Sequence, residues 1–157
     1  MKIEERTYEM PDGATKKYYI KLNQPAVCIL ALTPDSKVIV VEQFRPGPAK
    51  TLLELPGGYV DKGETTAQAA VRELHEETSL ESLRVEDLEA LGVVEVISDH
   101  QLEAVTIHAT VFRLSIHNDR EVVAKEGTLV KMTKDEILAS SDRLTPATRA
   151  CFETLIK

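Results

Sequence analysis

One well-capped helix, set among strand-like segments, restricts this fold more than any other feature of the chain. Thr65 with Gln68 three residues on has the pattern of a capping box. Ala67, Ala70, Val71 and Leu74 then recur at i, i+3, i+4 and i+7, which draws a narrow apolar face. Alanines on that face predict close approach to a sheet. Residues 7–10 and 16–22 flank an Asp12-Gly13 turn signal and read as a hairpin. Residues 26–32 and 37–41 follow as strands apolar enough to be central, then a short strand over 52–55. Beyond the helix, residues 90–97, 104–114 and 128–132 read as strands. Thr133 with Glu136 predicts a second capping box opening a helix over 134–139, and Thr145-Pro146 opens a last one. Strands before, between and after helices, without a βα rhythm, predict an α+β fold.

At 157 residues, 43% apolar and 29% charged, the chain is most simply one globular domain. The net charge of −7 argues against a nucleic-acid or anionic-lipid surface, both of which need a basic footprint. No membrane span or export signal is legible, so the expected location is cytoplasmic. Cys28 and Cys151 read as buried reduced thiols rather than a redox pair.

The end of the first helix violates ordinary helix electrostatics. Glu73, Glu76 and Glu77 crowd its last turn, where the backbone dipole prefers Lys or Arg. Each like-charge pair at i, i+3 or i, i+4 costs about 0.2–0.5 kcal/mol. A divalent cation is the economical source of compensating charge. Oxygen donors without nearby Cys or a second His suit Mg2+, with Mn2+ possible, rather than zinc. Pro56-Gly57-Gly58 is expected to turn tightly just upstream, and Gly63-Glu64 precedes the cap. Arg72 is placed to pair with Glu64.

The run Gly58-x5-Glu64-x7-Arg72-Glu73-Leu74-x-Glu76-Glu77-x-Ser79-Leu80 resembles the Nudix box, G-x5-E-x7-R-E-U-x-E-E-x-G-U with U aliphatic. Every charged position matches. The resemblance extends through Val41-Glu42-Gln43-Phe44-Arg45-Pro46 and Leu53-Glu54-Leu55-Pro56-Gly57-Gly58, which look like the ADP-ribose and nucleoside-diphosphate-sugar pyrophosphatase branch. It implies a Nudix α/β/α sandwich with a mixed sheet over residues 25–157, preceded by an N-terminal β-hairpin extension over 1–24. That extension is too short to bury both faces alone and is expected to pack on a second copy in a homodimer.

The implied activity is metal-dependent hydrolysis of a nucleoside diphosphate linked to a sugar, such as ADP-ribose or a related ADP- or GDP-sugar, giving NMP and a sugar phosphate. The alternatives are a nucleoside triphosphate pyrophosphohydrolase and a non-catalytic nucleotide-sugar sensor. By resemblance, Glu73 and Glu77 would be the main metal ligands, joined by Glu76 and the Gly57 carbonyl. Arg72 would orient the box and Glu64 would hold a water at the metal. A further acid from a late loop would complete the site, with Glu126 first, then Glu121 and Asp119. Arg45, beside a Pro/Gly loop, is placed to grip a diphosphate, with a plain surface role as the alternative. Gly58 lets the backbone approach the substrate, and Tyr18 or Tyr19 either stacks on a base or packs on the hairpin.

Two departures stand out. Ser79 occupies the box position of a glycine that usually ends the helix in a left-handed conformation, at an expected cost on the order of 1 kcal/mol. Residues 94–100 lack the proline common in ADP-ribose enzymes, which leaves several nucleotide sugars as candidates.

Overall fold

A computed structural model describes residues 2–22, 25–46, 48–98, 105–117, 122 and 128–156. The strands are β1 (Lys2–Glu9), β2 (Thr15–Leu22), β3 (Ala26–Leu32), β4 (Val38–Arg45), β5 (Lys50–Glu54), β6 (Gly57–Tyr59), β7 (Leu88–Ser98), β8 (Val105–Ser115) and β9 (Thr128–Met132). The helices are α1 (Thr66–Glu77), α2 (Lys134–Ala139) and α3 (Pro146–Thr154). Short 3-10 turns at Val85–Asp87 and Ser141–Arg143 lead into β7 and α3. No helix among the described residues is long and apolar enough to cross a membrane.

β3 is the centre of the sheet. It runs parallel to β8 from Ala26↔Ala109 to Leu32↔Ser115, and antiparallel to β6 from Ala26↔Tyr59 to Cys28↔Gly57. β7 covers the far side of β8. β4 joins β3 only at Leu32↔Val38, then pairs with β5 and β9. These mixed pairings are the expected α+β arrangement.

A strand buried on both faces needs an unbroken apolar run, and β3 supplies one. Its side chains alternate between two cores. Ala26, Cys28 and Leu30 join Ile107, Val111, Ile137, Cys151 and Phe152 beneath α2 and α3. Val27, Ile29 and Ala31 join Ala69, Ala70 and Leu74 of α1 on the opposite face. The sheet thus lies between α1 and the C-terminal helices, as a sandwich requires.

The capping box of α1 forms on both sides, Gln68 N–H to Thr65 Oγ1 at 3.1 Å and Thr65 N–H to Gln68 Oε1 at 2.8 Å. The buried stripe is turned by one residue from its expected position. Ala69, Ala70 and Leu74 are buried, whereas Val71 is only partly so. Ala69 fits between the helix and the sheet where a branched side chain would hold them apart. At α2, Thr133 Oγ1 accepts from the Glu136 N–H at 3.2 Å, one half of the box expected there.

Ser79 corrects the expected helix ending. The described non-glycine residues with positive φ are Ser36 and Ala49, so Ser79 does not take the left-handed conformation. The helix is closed by Thr78, whose hydroxyl donates to the Leu74 carbonyl and accepts from the Leu80 N–H at 3.2 Å. A side chain that satisfies the last turn removes the need for a left-handed cap, and with it the expected cost.

Candidate functional site

The site is assembled by one guanidinium. Arg72, in the second turn of α1, points back toward the loop that precedes its own helix. Its Nη2 donates to Glu64 Oε1 at 2.6 Å and to the Tyr59 carbonyl at 2.9 Å. Nε donates to both Glu64 oxygens at 3.2 and 3.1 Å. Nη1 reaches Glu73 Oε1 at 2.9 Å and, at a longer 3.4 Å, the Glu76 carboxylate. The planar fork of arginine makes this possible, and a lysine would not span the same partners. Loop and helix are thereby held as one body.

The surrounding acids differ in environment. Glu64 accepts from Arg72 and from the Asp61 N–H at 2.7 Å, and these bonds hold its carboxyl below the ordinary value, Arg72 contributing most. Burial pushes the Glu73 carboxyl above its ordinary value, against the opposing pull of Arg72. Glu76 is the outward member, with 54% of its side chain exposed. Glu77 is half-buried one turn beyond Glu73, on the same helix face. Among the described residues, no three acidic, histidine or cysteine side chains converge closely enough to hold an ion. Arg72 is the present counter-ion of Glu64, Glu73 and Glu76.

The two glycines work differently from the expected tight turn. Gly57 and Gly58 form the short strand β6, and neither has a positive φ. What they supply is room. A Cβ on Gly57 would lie 2.0 Å from the Val27 carbonyl oxygen, and one on Gly58 would lie 2.3 Å from Glu73 Oε1. The strand therefore fits between the backbone of β3 and the helix carboxylate.

Beside β6 lies a cavity of about 160 Å³. Ala26, Cys28, Ile107, Ala109 and Ala147 give it apolar walls, Gly57 and Gly58 one side, and Arg45 with Glu54 its charged groups. Arg45 Nη2 donates to both oxygens of Glu54, at 2.7 and 2.8 Å. Thr148 closes the opposite wall, its Oγ1 accepting from the Leu55 N–H at 3.0 Å and so tying α3 to the residue just before Pro56-Gly57. Cys28 of the cavity wall and Cys151 are buried together as free thiols. Their mutual hydrogen bond, then burial, raises the Cys28 thiol well above its ordinary value.

Of the residues singled out in the sequence, the structure joins Glu64, Arg72, Glu73 and Glu76 directly and sets Gly57, Gly58 and Arg45 around the adjoining cavity. Tyr19 lies apart. It sits on β2 opposite Glu5, 70% exposed, and does not line the cavity. Tyr18 instead packs edge-on against Tyr8, with ring centroids 5.8 Å apart. Glu126, Glu121 and Asp119 lie outside the described residues. Sequence reasoning missed Glu54 and Thr148. An acid inside the apolar run Leu52-Leu53-Glu54-Leu55 was the available signal for the first, and nothing local marks the second.

The NUDIX domain profile matches residues 22–140. With this match, on a sandwich carrying the box at its helix–loop junction, the chain belongs to the Nudix hydrolase family. It is 37% identical to a methanol dehydrogenase activator of Bacillus methanolicus over 86 residues, covering 55% of this chain and 46% of that protein. It is 43% identical to an ADP-ribose pyrophosphatase of Bacillus subtilis over 70 residues, or 45% and 38% of the two chains. The matched segment thus spans less than half of either relative. Among solved structures, a bifunctional NMN adenylyltransferase/ADP-ribose pyrophosphatase of Francisella tularensis, complexed with AMP and a manganese ion, superposes with a TM-score of 0.65. That match is 25% identical and covers 87% of this chain and 42% of the other.

Proposed function

We propose that this domain is a divalent-metal-dependent hydrolase that splits the pyrophosphate of a nucleoside diphosphate sugar, with ADP-ribose or a related ADP- or GDP-sugar as substrate, into NMP and a sugar phosphate. The observation that carries this reading is the adjacency of an acid cluster and a cavity that share the β6 glycines as their common wall. The donor set fits a hard cation such as Mg2+ or Mn2+. It offers oxygen atoms alone, and Glu73 is an acid raised by burial, a condition that a nearby positive charge relieves. Glu73, Glu77, Glu76 and the Gly57 carbonyl are the ligands in this reading. When bound, the metal supplies Lewis-acid stabilisation of the phosphate charge.

The chain's own groups do the rest. Arg72 fixes the acids in place through its pairing with Glu64, and Glu73 and Glu76, which share its Nη1, would be the groups that turn to hold the cation. Glu64, held ionised, is suited to orient a water by accepting its hydrogen bond. Arg45 offers a cation to the diphosphate at the cavity. Glu126 remains our candidate for the further acid.

The decisive experiment is a nucleotide-sugar panel with Mg2+ and Mn2+ in which products are identified. AMP plus a sugar phosphate is the expected pair from ADP-sugars. Absence of turnover across the panel would overturn the reading. The metal claim has its own readout: Mg2+ at a hundredfold its dissociation constant should stabilise the protein by about 2.7 kcal/mol. An unchanged melting temperature with Mg2+ would remove it.

We further propose that residues 1–24 make this protein a homodimer. Among the described residues, β2 pairs with β8 at Lys21 and Leu22, and the rest of the β1–β2 hairpin pairs only within itself. It carries exposed Ile3, Tyr8, Tyr18 and Tyr19. A lone two-stranded ribbon is marginal in water, and a second copy offers the surface it lacks. Gel filtration should give a dimer, and a fully active monomer would refute the assignment. Tyr19 then belongs to the interface or to the partner's pocket.

A further inference from the structure

The cavity beside β6 has two charged groups in its lining, and they carry opposite signs. Arg45 spends one nitrogen, Nη2, on Glu54. Its Nε–H is buried and has no partner among the described residues, a donor left unfilled beside the cavity. Glu54 is the more enclosed partner, with 19% of its side chain exposed. Among the described residues its carboxylate accepts hydrogen bonds from Arg45 Nη2 alone, although two ionised oxygens have about four lone-pair sites. The pair therefore presents the cavity with one unfilled donor and several unfilled acceptor positions.

These unfilled positions suit different parts of one molecule. An anionic diphosphate satisfies Arg45. Glu54 rejects phosphate by charge and is satisfied by hydroxyl donors, the groups in which a sugar is rich. We infer that Glu54 determines specificity at this site: it accepts hydrogen bonds from the sugar joined to the diphosphate and excludes a third phosphate from the same place. This rests on the hydrolase reading above and sharpens it, because it separates nucleotide sugars from nucleoside triphosphates on the strength of one side chain. A site built to pair with a hydroxyl discriminates strongly against a ligand lacking it, since the carboxylate is then left without a donor.

The test compares kcat/KM for ADP-ribose and ATP, with Mg2+, in wild type, Glu54→Gln and Glu54→Asp. The ratio of the two constants is independent of the folded fraction, so a partly unfolded variant still reports. Glutamine keeps an oxygen for Arg45 and removes the charge. Wild type should favour ADP-ribose. Glu54→Gln should reduce that preference at least tenfold, with KM for ADP-ribose rising and turnover of ATP improving relative to wild type. Glu54→Asp should retain part of the preference. If Gln lowers both substrates by the same factor, Glu54 merely supports Arg45 and the inference falls. A wild type that prefers ATP overturns the inference while leaving a metal-dependent hydrolase in place. A wild type that turns over neither removes the underlying reading and this one together. Should the glutamine variant lose measurable turnover, the ratio of dissociation constants for the two nucleotides makes the same comparison.

Discussion

Gly57→Ala is expected to destabilise the domain by about 3 kcal/mol or more, the upper end of what overpacking costs in a filled core. The three nearest atoms to the added methyl are backbone atoms of the central strand: Val27 O at 2.0 Å, Val27 C at 3.0 Å and Cys28 Cα at 3.2 Å. A side chain can rotate away from such a clash, but paired backbone cannot. β6 must leave β3 or β3 must bend, and β3 feeds both cores. For a chain of this size each kcal/mol shifts the melting temperature by roughly 2–4 °C, so a fall of roughly 6–12 °C is the measurement. Gly58→Ala is the informative contrast. Its nearest neighbours are the carboxylate atoms of Glu73, at the end of a flexible side chain. That variant should keep most of its stability and lose turnover, because Glu73 is pushed out of place. Equal melting temperatures for Gly57→Ala and wild type would show that β6 does not sit against β3 as described.

Glu77→Gln should lower turnover roughly 10²–10³-fold, the range seen when one preorganised electrostatic group is removed from an active site. Glu76→Gln should have a smaller effect, since Glu76 is the more exposed and holds Arg72 only at 3.4 Å. The same substitutions should not cost stability. Each relieves a like-charge repulsion worth about 0.2–0.5 kcal/mol and takes a negative charge off a helix C-terminus. Loss of activity with an unchanged or higher melting temperature in metal-free buffer is thus the expected signature. It is the pattern of groups kept for function at some expense to the fold. The gain in melting temperature on adding Mg2+ should shrink in parallel. Undiminished turnover in the double variant would sink the assignment of these acids as ligands.

The parts of this protein legible in its sequence are those set by neighbours along the chain. The capping box at Thr65 and the alternation of β8 depend on residues within a few positions of one another, and the structure has both elements in place. The rest depends on distant packing. Thr148 matters because it meets Leu55, 93 positions away, and no local pattern announces that bond. Gly57 and Gly58 look like a turn in sequence, yet they are a strand whose missing side chains make room for β3 and Glu73. Ser79 looked costly until Thr78 proved to close the helix through its own hydroxyl. Val71 and Ala69 exchanged places because the sheet, not the helix, decides which side chain fits beneath it. The cavity was the least legible part, since its wall is drawn from five strands and the start of α3.

That last wall bears on how the protein is made. Translation proceeds at roughly 5–20 residues per second, so several seconds separate synthesis of Glu77 from that of Thr148. A chain emerging from the ribosome holds its full set of box acids long before α3 exists to close the cavity. During that interval the acids proposed to hold a cation stand without the cavity proposed to hold a nucleotide. The acquisition of α3 is then the step that closes the cavity beside an acid cluster already in place.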